Sequence, residues 1–108
     1  MSSPEFQIAC EQDPENTRYN VTLSGEIDFA AVPAVRDFII ALDGDVEVNC
    51  EGVSFIDSSG LGLFVRLANQ FDTAGHHIAL RNLSGNCYRL FEMTGLLRHI
   101  DATRNEAP

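Results

Sequence analysis

Between residues 46 and 71 the hydrophobic pattern changes its period once, and that change commits the chain to a strand followed directly by a helix. Val46, Val48 and Cys50 alternate with Glu47 and Asn49, the two-residue repeat of a strand. Leu61, Phe64, Val65, Ala68 and Phe71 then recur at the spacing that gathers side chains on one face of a helix, expected over about Ser59 to Thr73. The stretch Val53-Ser54-Phe55-Ile56-Asp57-Ser58-Ser59-Gly60-Leu61-Gly62 is the junction. Ser and Asp at such a place accept hydrogen bonds from the first free N–H groups of the helix, so Asp57, Ser58 and Ser59 are its candidate caps. Gly60 and Gly62 leave one side of the first turn without side chains, where another backbone can approach. An ordinary capped helix accounts for all this, and so does a serine displayed for modification or for a partner.

The flanking segments extend the same logic. Phe6, Ile8 and Cys10 alternate with Glu5, Gln7, Ala9 and Glu11, and Asp13-Pro14-Glu15-Asn16 is a turn cluster. Tyr19, Val21 and Leu23 form a second alternating run, so the two segments read as an antiparallel hairpin. Gly25-Glu26-Ile27-Asp28 ends it, with Asp28 a candidate cap for a helix that has Pro33 in its first turn and Val35, Phe38, Ile39 and Leu42 on its buried face. After the central helix, Ala74-Gly75 is a stop, and Ile78 and Leu80 mark a strand over His77 to Leu83. Ser84 or Asn86 caps a third helix through Met93, with Tyr88 or Cys87, Leu90, Phe91 and Met93 facing inward; Gly95 ends it. Leu96, Leu97 and Ile100 form a last short extended segment, and 102–108 reads as a frayed tail, leaving an ordered core of about 5–101. Strand, strand, helix, strand, helix, strand, helix implies an α/β domain: right-handed β-α-β crossovers joining parallel strands, plus the hairpin.

The totals narrow the function. With 108 residues the chain is a single domain, 1–108, able to bury one core without metal or disulfide staples. No apolar run reaches the roughly 18 residues of a membrane span, and Met1-Ser2-Ser3-Pro4-Glu5 lacks a signal peptide's basic and apolar regions, so the expected location is cytoplasmic. Net charge is −9 and all seven basic residues are Arg, a balance that repels phosphate backbones and anionic lipid and points away from direct nucleic-acid or membrane binding. Cys10, Cys50 and Cys87 have no metal-ligand spacing and read as free thiols, with a Cys50–Cys87 redox link the lesser alternative. His76 and His77, as neighbours in a strand, point to opposite faces and do not chelate one ion. No metal or cofactor is expected.

Three ordered segments carry a family resemblance. Phe55-Ile56-Asp57-Ser58-Ser59-Gly60-Leu61-Gly62 resembles the signature of STAS domains in bacterial anti-sigma-factor antagonists. Gly25-Glu26-Ile27-Asp28 resembles that family's Gly-Glu-Leu/Ile-Asp element, and Arg89-Leu90-Phe91-Glu92-Met93-Thr94-Gly95-Leu96 its Arg-Leu-Phe-x-Met-x-Gly-Leu helix end. The resemblance implies the STAS fold, a small mixed β-sheet with helices packed on it. It also implies a further carboxyl-terminal helix, for which the 13 residues after Gly95 leave little room.

Carried over by position, the resemblance makes Ser58 the phosphorylated residue, with Ser59 its less favoured neighbour, and puts Asp28 on the same surface. The unphosphorylated protein would bind an anti-sigma factor that is also a serine kinase and so release the sigma factor; phosphorylation of Ser58 would block that binding until a phosphoserine phosphatase removed the phosphate. The implied contact surface is Asp28, Asp57, Ser58, Ser59, Gly60, Leu61, Gly62 and Leu63; off the main apolar stripe, Leu63 is balanced between rim and core, and Arg66, a rim candidate, reads in preference as a solvated face.

Other classes compete. A STAS subunit of a lipid or anion transporter complex keeps the fold and changes the partner. An enzyme with Ser58 as nucleophile lacks the Gly-x-Ser-x-Gly elbow and has no histidine nearby in sequence, although His76, His77 or His99 could approach through space. No Gly-x-x-x-x-Gly-Lys loop exists, so nucleotide belongs to the kinase. In a constitutive scaffold Ser58 would only cap its helix.

Overall fold

The structure, a computed structural model, describes residues 6–15 and 17–106. The amino-terminal segment read for a signal peptide, Glu5, Asn16 of the expected turn and the tail residues 107–108 lie outside the described residues. Along the chain run β1 (Phe6–Gln12), β2 (Tyr19–Ile27), α1 (Val32–Ile40), β3 (Val46–Ile56), α2 (Ser58–Thr73), β4 (Ile78–Leu83), α3 (Gly85–Met93), a single 3₁₀ turn (Leu96–Arg98) and β5 (Asp101–Arg104). The five strands form one sheet in sequence order. β1 pairs antiparallel with β2, and the pairings β2–β3, β3–β4 and β4–β5 are parallel.

The sheet has one buried face. Val21, Leu23 and Ile27 of β2 and Val46, Val48, Cys50, Val53 and Ile56 of β3 are buried, while their neighbours along each strand are not. The core is completed from the helices by Val35 and Ile39 of α1, Leu61, Leu63, Phe64, Leu67 and Phe71 of α2, and Cys87 and Phe91 of α3. Strand β3 is longer than the Val46-to-Cys50 alternation predicts because its phase is reset. The β2–β3 register shifts beside Gly52, where a Cβ would stand 2.7 Å from the Ser24 Cβ. That bulge returns Val53 to the core side after two consecutive exposed residues, and a second register shift, between Gly25 and Glu26, does the same for Ile56.

Several expectations are corrected. Residues 102–104, expected in a frayed tail, belong to β5, and Asn105 N–H still donates to the Leu83 carbonyl at 2.7 Å. A bidentate ion pair holds this strand: Arg81 donates to Asp101 at 2.8 and 3.1 Å, and His77 Nε2 lies 2.9 Å from the same carboxylate. On α3, Leu90 and Met93 face solvent rather than the core, because the helix is only nine residues and contacts the core through one turn-spaced pair, Cys87 and Phe91. On α2, Val65 and Ala68 are half-buried and Leu63 and Leu67 take their places. Packing against both the sheet and α1 rotates and widens the helix's buried arc. α3 is capped by Ser84, whose hydroxyl accepts from Cys87 N–H at 3.2 Å.

Candidate functional site

β2 and β3 run parallel and end side by side, with Ile27 opposite Ile56. The residues that follow are Asp28 and Asp57, so two carboxylates emerge together at the carboxyl ends of adjacent parallel strands, where α/β sheets open onto binding sites. Each is tied to backbone. Asp57 is the N-cap of α2, and its Oδ1 accepts from Gly60 N–H at 3.0 Å. Its Oδ2 accepts from Phe29 N–H at 3.2 Å, across to the turn that leaves β2. Asp57 N–H in turn donates to the Ile27 carbonyl at 3.3 Å. One residue thus joins the start of α2 to the exit of β2.

Asp28 has a related duty but is not the cap of α1. Its Oδ1 accepts from Ala30 and Ala31 N–H at 3.1 and 3.2 Å and closes the turn into the helix, whose N-cap is Ala31 with no side-chain bond. Pro33 stands at the amino end of α1, where its missing N–H is harmless.

With Asp57 as the cap, Ser58 is the first residue of α2; it is exposed, and its hydroxyl bonds to no described residue. Ser59 is half-buried. Gly60 is buried for a steric reason, since a Cβ there would stand 2.6 Å from the Ile27 carbonyl oxygen and 2.8 Å from Ile56 Cγ2. Gly62 is different: the nearest atom to its absent Cβ is Nη1 of Arg66, at 3.2 Å.

The predicted contact residues therefore separate. Asp28, Asp57, Ser58, Ser59 and Gly62 share one surface at the strand ends, whereas Gly60 and Leu61 are buried beneath it. Leu63 is corrected outright, since its side chain is fully buried in the core and cannot touch a partner. Two residues that sequence reasoning missed flank the site. Phe29, next to Asp28, is 79% exposed, and Phe55, just before the junction, is 47% exposed. The signal was present: a bulky apolar residue in the turn after Asp28 buries nothing, and Phe55 stands out of phase with Val53 and Ile56.

The histidines lie at the other end of the sheet. His76 and His77 precede β4, and His77 O accepts from Val46 N–H at the start of β3, so the length of β3, roughly 30 Å at strand rise, separates them from Ser58. His99 precedes β5, which runs parallel to β4, and shares that end. Ser58 has no histidine base within reach. His76 and His77 lie before β4 rather than in a strand as expected, and they meet distinct partners, His76 3.5 Å from Asp43 and His77 2.9 Å from Asp101. Among the described residues no group of three or more His, Cys, Asp or Glu side chains is arranged to hold a metal ion. No described helix is long and apolar enough to cross a membrane. Cys50 and Cys87 are both buried; burial first, and the neighbouring Cys87 second, push the Cys50 thiol up to about 12. Little thiolate exists there at neutral pH.

Comparison with known proteins extends over the whole of this architecture. The profile described as STAS domain matches residues 7–107. The anti-sigma-B factor antagonist of Staphylococcus aureus is 35% identical over 102 residues, 89% of this chain and 94% of that protein. Its counterpart of the same name in Bacillus subtilis is 37% identical over 84 residues, 75% of this chain and 77% of that protein. Among solved structures, the anti-sigma factor antagonist SpoIIAA in its unphosphorylated form superposes with a TM-score of 0.73 at 25% identity, covering 93% of this chain and 90% of that one.

Proposed function

This chain belongs to the STAS domain family, and from that membership we propose that it is an anti-sigma factor antagonist gated by phosphorylation of Ser58. The relatives that carry this name cover nearly its whole length, which supports the same role here. The partner is an anti-sigma factor with serine kinase activity, and a phosphoserine phosphatase resets the switch. No catalysis is assigned to the chain itself, and it acts in the cytoplasm beside the transcription machinery.

One observation carries the gate to Ser58. Its hydroxyl is exposed and unbonded because Asp57 has taken over the capping of α2. A kinase can reach that oxygen without opening the fold. A phosphate placed there adds about −1.5 to −2 charge at neutral pH. The free N–H groups at the start of α2 favour it by about 0.3–1 kcal/mol, so the domain keeps its structure. Inhibition then arises at the interface, from bulk and from the desolvation of a dianion. Losing ~4 kcal/mol there weakens binding about a thousandfold. The contact surface comprises Asp28, Asp57, Ser58, Ser59 and Gly62, together with the exposed rings of Phe29 and Phe55.

The test is a pull-down from an extract of the source cell with wild type and Ser58→Asp, the retained proteins being identified by mass spectrometry. Wild type should retain a kinase-like anti-sigma factor that Ser58→Asp loses. Equal retention by both would remove Ser58 as the gate, and recovery of permease or ATPase subunits would move the protein to a transporter complex.

A further inference from the structure

α2 carries a single basic residue, Arg66, two helical turns beyond Ser58. Its guanidinium is folded back along the helix. Nη1 lies 3.2 Å from the position a Gly62 Cβ would occupy, and Cα–Cβ bonds in a helix tilt toward its amino end. The cation therefore sits over Gly62, one helical turn closer to Ser58 than its own Cα. Residues at i and i+4 have Cβ positions about 5–6 Å apart, so one further turn separates the cation from the Ser58 Cβ, and a phosphate on Ser58 extends into that gap. Only the missing side chain at Gly62 makes that path open.

Arg18, Arg36 and Arg81 each have a carboxylate partner; Arg66 has none among the described residues, nor have Arg89, Arg98 and Arg104, but of these four only Arg66 lies on α2. The charged residues at the ends of β2 and β3, Glu26, Asp28 and Asp57, are negative, and both aspartates are committed to backbone N–H groups, while Arg36 of the neighbouring α1 is already paired with Asp37. A phosphate on Ser58 thus meets an acidic neighbourhood with one unpaired cation aimed along the helix toward it.

We propose that Arg66 is the intramolecular counter-ion of phosphoserine 58, pairing with the phosphate across the gap left by Gly62. The inference rests on the reading of Ser58 as the modified residue and deepens it. The guanidinium fork suits phosphate oxygens, and the pair offsets the repulsion from Asp28 and Asp57. It also takes a cation off the contact surface in the same step that adds the anion.

The test uses full-length protein with phosphoserine installed at position 58 during translation, so that no kinase is needed. Phosphorus NMR then follows the second ionisation of the phosphate, which ordinarily falls near pH ~6. In the otherwise native protein the midpoint should lie about 0.3–0.7 pH units below that of Arg66→Gln, and Arg66→Lys should recover part of the difference. Identical midpoints in all three would overturn the proposal. A second readout needs no variant. The Arg66 side-chain N–H resonance should move between unmodified and phosphorylated protein with the midpoint of the phosphate, and a resonance that stays put overturns it equally. Whether the phosphorylated protein still binds its partner is read separately by pull-down. Failure of the Ser58 gate and failure of the Arg66 pairing thus give different results.

Discussion

Replacing Gly60 by Ala should unseat α2 from the end of β2. The new Cβ would stand 2.6 Å from the Ile27 carbonyl oxygen and 2.8 Å from Ile56 Cγ2. The first contact is backbone of a fully buried residue in the sheet, and it cannot rotate away. Overpacking of this kind costs about 1–3 kcal/mol. Displacing the helix also stretches the Asp57 N–H bond to that same carbonyl, already 3.3 Å long, at a further cost of about 1 kcal/mol. The better helix propensity of Ala returns up to ~1 kcal/mol, so the net destabilisation is about 1–3 kcal/mol, read as a lower urea midpoint with an unchanged slope. Gly62→Ala is the control in the same helix. Its Cβ meets only the mobile end of Arg66 at 3.2 Å, so the variant should be neutral or slightly stabilised. If the two variants unfold within about 0.5 kcal/mol of each other, close seating of α2 on β2 is wrong.

Two further outcomes follow from the same contacts. Asp57→Ala removes both the cap of α2 and the acceptor of Phe29 N–H and should cost about 1–2 kcal/mol, whereas Ser58→Ala should stay within about 0.5 kcal/mol of wild type in the same chemical denaturation. The clasp on β5 responds to acid: hydrogen bonds from Arg81 first, then from His77, outweigh burial and hold the Asp101 carboxyl at about 2, below its ordinary 3.8. A folded value below the unfolded one means that this stabilisation is full above about pH 5 and is lost as pH falls toward 2. With the Asp101 side chain 37% exposed, solvent screening reduces the contribution to about 1 kcal/mol. Asp101→Asn should flatten the stability profile between pH 5 and 2, and a profile that keeps its wild-type slope would show that the clasp carries no stability.

The legible parts of this chain were those where hydrophobic period and local chemistry agree. The hairpin of β1 and β2, the parallel β-α-β order and the strand-to-helix junction all follow from periods of two and 3.6 with turn residues between them. β3 ran past its expected end because a bulge at Gly52 hides the continuation by breaking the alternation. β5 has no apolar repeat to read; its pairing depends on Arg81 meeting Asp101 across 20 residues, a tertiary contact. Leu63 was ambiguous for a related reason, since the width of a helix's buried arc depends on what packs against it, and α2 meets both a sheet and α1. At the site, local rules offered Asp57, Ser58 and Ser59 as equal caps, and only the geometry of the first turn selects Asp57.

That selection has a functional consequence. Were Ser58 the cap, phosphorylation would remove an acceptor worth about 1 kcal/mol to α2, and modification would be coupled to helix fraying. With Asp57 holding both Gly60 N–H and Phe29 N–H, the structural duty lies one residue away from the oxygen proposed as the site of modification. A phosphate can then be added or removed without disturbing the fold. Asp57→Ala and Ser58→Ala should therefore fail in different ways, the first in stability, the second in switching with stability intact. A chain in which both substitutions lowered stability alike would have its switch built into the fold rather than placed on its surface.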